Sequence, residues 1–117
     1  QGAIARARAR IQIVRQQLEN RKTDLRNRIY EQVETVEAAY RQTQIYRKDV
    51  LPAVETQFEM LREGFDLGEL TLLDVMDARD RLLKVRREQL AALAEYVREM
   101  SDLEELLGRS VWEGIQR

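Results

Sequence analysis

Ile4, Ile11, Leu18 and Leu25 stand seven residues apart, with Val14 between, and the apolar spacing then runs on to Phe65 without a true break. A step of four carries it into Ile29, Val33, Val36 and Tyr40, and further on Leu51, Val54, Phe58, Leu61 and Phe65 alternate steps of three and four. Residues so spaced share one face of a helix, and an insertion of four in a heptad pattern is a stutter that leaves the helix intact. The pattern predicts one long amphipathic helix over about residues 3–66. Pro52 is its sole internal breaker. It removes a backbone donor and crowds the carbonyl of Lys48, so a kink is expected there while the helix continues.

The stretch from Gly64 to Thr71 reads differently. Gly68 can take the left-handed conformation that closes a helix. Thr71 followed three residues later by Asp74 has the form of a capping box, and Leu70 with Val75 has the spacing of a hydrophobic staple. A turn is therefore expected at about residues 67–71. A second helix is expected over about 72–107, its seam formed by Met76, Leu83, Leu90 and Val97 with Leu93, Met100 and Leu107. Gly108 is placed to end it, leaving a short tail over 108–117 that contains Trp112.

A corner this short sends the second helix back antiparallel to the first. The fold class expected is all-α: one long antiparallel helical hairpin, coiled-coil-like, occupying residues 1–117 as a single unit. A second helix of that length reaches only to about residue 31 of the first, so the apolar stripe of residues 3–30 has no partner within the chain. Each helix buries one seam and leaves another side open, and a hairpin of this kind is expected to self-associate.

Composition agrees. Charged residues make up 35 % of the sequence and aromatics 6 %, with five glycines and one proline, a balance suited to long helices. Cysteine and histidine are both absent, which removes thiolate chemistry, disulfides and the commonest general base and metal ligand. No apolar run approaches the roughly 18 residues that would span a bilayer as a helix. Charge is unevenly spread. Residues 1–30 hold eight Lys/Arg against two Asp/Glu, net +6, and residues 31–117 hold twelve against nineteen, net −7. Arg6, Arg8, Arg10 and Arg15 do not share a helical face and no aromatic lies among them, so nucleic-acid binding is not expected.

Asp74, Asp77 and Asp80 recur at steps of three and share roughly one face of the second helix. Paired carboxylates can exchange protons or hold a hard cation. Acids in a first helical turn also stabilise the helix dipole, which is the simpler account. No phosphate-binding loop, dinucleotide fingerprint or Glu-x-x-His pair is present. No catalytic residue, metal ligand or cofactor is expected. Phe65, Leu67, Leu70 and Leu72 crowd apolar surface around the corner, which suits either stapling of the turn or a contact site.

The stretch from Leu61 to Leu83 (LREGFDLGELTLLDVMDARDRLL) resembles the helix-turn-helix tip of TolC-like outer-membrane efflux ducts. Tyr46 to Pro52 is similar to the family pattern upstream of the tip, and Tyr96 to Gly108 to its closing segment. The resemblance covers about residues 3–108 and implies the second, carboxy-terminal helical repeat of a longer chain. By that likeness the parent is a homotrimer with a β-barrel in the outer membrane, its only membrane contact, and a helical barrel crossing the periplasm. Asp74 and Asp77 match aspartates that ring the periplasmic aperture and act as an electrostatic gate. Gly68, Glu69, Leu70, Thr71 and Leu72 match the tip that docks a periplasmic membrane-fusion adaptor. Leu70 stands where a basic residue sits in some members, which implies a more apolar contact. A stand-alone coiled-coil scaffold, or the α-hairpin of the adaptor itself, would show the same helical pattern.

Overall fold

A computed structural model describes residues 1–115, and those residues contain helices and turns and no strand. The chain is all-α and folds as a helical hairpin. Helix α1 spans Gly2–Ile45, a π-helical turn spans Tyr46–Val50, α2 spans Leu51–Asp66 and α3 spans Leu72–Ile115. Helical backbone passes Pro52 without ending. The proline is the second residue of α2, and because the backbone before it is already helical its missing N–H leaves a carbonyl of the preceding turn without that donor. Just ahead of it the Leu51 N–H reaches back to the Tyr46 carbonyl, one residue further than an α-helical bond. The expected kink is thus a wide turn placed before the proline.

The chain forms two compact units. One comprises residues 35–101 and the other, among the described residues, residues 1–34 with 102–115. In the first, Val54, Leu82 and Val85 form a buried cluster, and Tyr46, Val50, Leu51 and Phe58 pack against it. Val36, Thr43 and Ala78 are also buried. Thr43 can be buried because its hydroxyl donates to the Tyr40 carbonyl at 2.6 Å, leaving no unpaired polar atom. Tyr40 and Tyr96 meet as a tilted aromatic pair with centroids 5.6 Å apart.

The buried line on α3 differs from the seam expected. Val75, Ala78, Leu82, Val85, Gln89, Ala92 and Tyr96 face inward, at alternating steps of three and four. Met76, Leu90, Leu93 and Val97, expected at the seam, are exposed. The helix carries two apolar stripes one residue apart. The expectation chose the bulkier one, whereas the smaller Val and Ala residues let the helices approach closely.

Helix α3 also continues through Gly108 to Ile115 in place of ending at Leu107. Glycine inside a helix costs only about 1 kcal/mol relative to alanine, and the i,i+4 ion pair of Arg109 with Glu105 spans the position. The stretch expected as a tail is therefore helical as far as Ile115, and Gln116 and Arg117 lie outside the described residues. In the second unit, Ser110 and Glu113 join Lys22, Leu25, Arg26, Ile29 and Tyr30 around one groove. Leu25 and Ile29 are half-buried there, so they have the intramolecular partner the expected shorter helix denied them. Ile4, Ile11, Val14 and Leu18 remain exposed.

Candidate functional site

The corner between α2 and α3 is fixed by backbone chemistry. Gly68 is the one described residue with positive φ, at +77°. Its N–H donates to the Phe65 carbonyl at 2.9 Å and the Glu69 N–H to the Gly64 carbonyl at 2.9 Å. These are the paired bonds of a Schellman motif, which satisfies the carbonyls left over at a helix end. The Gly64 carbonyl also accepts the Leu70 N–H at 3.3 Å.

Thr71 and Asp74 cap α3 reciprocally. The Asp74 N–H donates to Thr71 Oγ1 at 3.3 Å, while Asp74 Oδ2 accepts the Thr71 N–H at 3.0 Å and the Thr71 hydroxyl at 2.9 Å. The backbone bond from Thr71, and then its hydroxyl bond, hold the Asp74 carboxyl below its ordinary range. Asp74 is thus occupied by the cap. Asp77 and Asp80 are exposed to solvent. Among the described residues no group of three or more His, Cys, Asp or Glu is placed to hold a metal ion.

The expected tip residues divide between structure and surface. Leu70 folds back on α2: a Cβ at Gly64 would meet its Cδ1 at 2.6 Å and its Cγ at 3.0 Å. That close approach explains Gly64, a residue the sequence pattern did not single out, and it leaves Leu70 half-buried. Glu69 and Thr71 are exposed, and Gly68 supplies the conformation. Leu67 is 74 % exposed, Leu73 65 % and Leu72 57 %, with Phe65 and Met76 also open. Leu73 and Met76 were missed as tip residues. Met76 sits one position and Leu73 two positions away from Val75, the first residue of the inward-facing line of α3. Large apolar side chains held open on a rigid corner favour contact with another surface, since burying such a leucine is worth about 2 kcal/mol.

No helix among the described residues is long and apolar enough to cross a membrane. The sequence profile of the outer membrane efflux protein family matches residues 1–109. A cobalt-zinc-cadmium resistance protein, CzcC of Cupriavidus metallidurans, is 32 % identical over 66 residues, which is 56 % of this chain and 16 % of the relative. The chain thus covers only a small part of that relative's length. No solved structure matches the chain. With the profile spanning nearly all of a hairpin whose corner and cap are built from the residues that suggested the likeness, the chain belongs to the outer membrane efflux protein family.

Proposed function

We propose that this hairpin is the periplasmic helical segment of a trimeric outer-membrane efflux duct, contributing to the wall of its α-barrel. Its corner is the tip that docks a periplasmic membrane-fusion adaptor. The observation that carries the reading is the apolar corner. Leu67, Leu72 and Leu73 stand open to solvent on a turn immobilised by the Schellman bonds and the Thr71–Asp74 cap. A preformed surface of this kind binds without the cost of ordering a loop. Gly68, Glu69, Leu70 and Thr71 build that surface, with Leu70 acting from behind as the wedge on Gly64. Leu72 is part of the contact itself.

Asp77, and Asp74 once freed from its cap, would line the periplasmic aperture when three copies meet. A ring of carboxylates at a constriction attracts cations and repels anions. The name of the metal-resistance relative makes divalent cations the cargo class to test first. This segment itself contains no cysteine. With Leu67→Cys or Leu72→Cys in the full-length duct, we expect cross-links to the adaptor in cells. Absence of cross-linking at both positions, with the duct assembled and exported, overturns the docking assignment. Asp74→Ala combined with Asp77→Ala is expected to weaken the cation preference of single-channel conductance, and unchanged selectivity removes the gate.

A further inference from the structure

In the unit formed by residues 35–101, the inward-facing positions of α1 follow a strict heptad: Val36, Ala39, Thr43, Tyr46 and Val50 are all buried or half-buried. Continued without change, that series would bring Ala53, Gln57 and Met60 to the interface. Those three are exposed. The residues that face inward are Val54, Phe58 and Leu61, each one position later. Helix α3 shows no matching interruption, since its inward series from Val75 to Tyr96 keeps alternating steps of three and four. The phase of the first strand of the hairpin therefore slips by one residue relative to the second, and the slip coincides with the π turn at Tyr46–Val50. A π turn is an α-helix holding one extra residue. In an unbroken α-helix one residue is about 100° of rotation, enough to turn Val54 and Phe58 out of the core.

We propose that the π turn is a one-residue phase shifter that keeps α2 and the corner in register with α3. It is encoded by the apolar spacing on either side and is not forced by Pro52. One observation supports this over a proline effect. The spacing change lies in the apolar residues themselves, so a straight α-helix would lose the Val54, Leu82 and Val85 cluster with or without the proline. Tyr46, the first residue of the turn, anchors it. Its hydroxyl donates to Glu88 Oε2 at 3.1 Å across the hairpin.

The test uses disulfide formation in the full chain, which has no native cysteine. Val54→Cys with Val85→Cys reports the observed phase, and Ala53→Cys with Val85→Cys reports the phase of a straight helix. In the Pro52→Ala background we expect the first pair to remain the efficient one. A switch of efficiency to the second pair overturns the proposal, because it would show that the proline holds the π turn open. Deleting Lys48, an exposed residue of the turn, in the same background closes the π turn into a regular α-helix with the downstream phase kept. We expect that variant to retain the disulfide between the cysteines placed at 54 and 85 and to keep its Tm. Loss of that cross-link, or failure of the deletion variant to fold where Pro52→Ala alone folds, refutes it.

Discussion

Two glycines with empty space around them make opposite demands on the same substitution. At Gly68 and at Gly108 a new Cβ would meet nothing within 4 Å, so packing contributes to neither change. They differ in backbone. Gly68 has φ +77°, where an alanine costs about 1–2 kcal/mol. Restricting the unfolded chain returns about 0.4–1 kcal/mol, leaving Gly68→Ala destabilising by about 1 kcal/mol. Gly108 lies inside α3, where alanine is the better helix former by about 1 kcal/mol. Gly108→Ala is therefore expected to stabilise by a similar amount. Urea unfolding followed by circular dichroism separates the two. With an m-value near 2 kcal/mol/M, each change moves the midpoint by about 0.5 M, in opposite directions. Wild type and variants must be compared at one protein concentration, because self-association adds to apparent stability. A stabilising Gly68→Ala would refute the left-handed corner. A destabilising Gly108→Ala would refute the continuation of α3 and restore a helix end at that glycine.

Leu82→Ala removes the largest member of the buried cluster and is expected to cost about 3 kcal/mol, read from the same unfolding curves; a loss under about 1 kcal/mol would mean the cluster does not hold the hairpin together. Thr71→Ala removes the cap of α3 at a cost of about 1 kcal/mol near neutral pH. The part of that advantage that comes from the Thr71 hydroxyl bond to the ionised Asp74 carboxyl is complete above about pH 4 and fades as pH falls below that value through the depressed folded pKa, while the Thr71 backbone bond to Asp74 is common to both proteins. A wild-type-to-variant gap in Tm that stays constant from neutral pH to pH 2 contradicts this. The hydrogen bond to Glu88 raises the Tyr46 phenol, so its contribution is present below about pH 10 and fades as pH rises beyond that. Tyr46→Phe should lower Tm at pH 7 and narrow its deficit in alkali; equal Tm values at pH 7 would show the bond to be idle.

The corner was legible because every feature of it is local. Gly68, Thr71 and Asp74 each answer a requirement set within a few residues, and the structure meets those requirements with the Schellman and capping bonds. The wedge of Leu70 on Gly64 escaped notice because the staple pattern directs Leu70 toward α3, and only the bend of the turn brings it onto α2. Gly108 misled for the opposite reason: a glycine after an apolar run looks like a helix end, and nothing local reveals that the following residues stay helical. The π turn could be read only by carrying the heptad of Val36 and Thr43 forward and finding it one residue short at Val54.

The choice of seam on α3 was the misreading with the widest consequence. Hydrophobic size is a poor guide when a helix has two stripes, because the tighter contact selects smaller side chains. Val75, Ala78, Val85 and Ala92 line the hairpin interior beside Leu82, and Val36, Ala39 and Val54 answer them from the other strand. Two helices that meet over so many small residues bury little area each. None of the described residues has its side chain fully enclosed. The larger Met76, Leu90, Leu93, Val97 and Leu107 are left on the outer stripe, where covering them would bury further apolar area. A chain arranged this way gains by association as well as by closing on itself. In the duct we propose, the inner seam fixes the shape of the hairpin and the outer stripe joins it to the neighbouring wall. Substitutions on the two stripes should then separate: Val85→Ala weakening the hairpin at every protein concentration, and Leu90→Ser with Val97→Ser reducing sedimentation to that of a monomer and removing the concentration dependence of the unfolding transition. Association undiminished by the outer-stripe pair would show that the contact lies elsewhere, on the exposed Ile4, Ile11 and Leu18 face of α1.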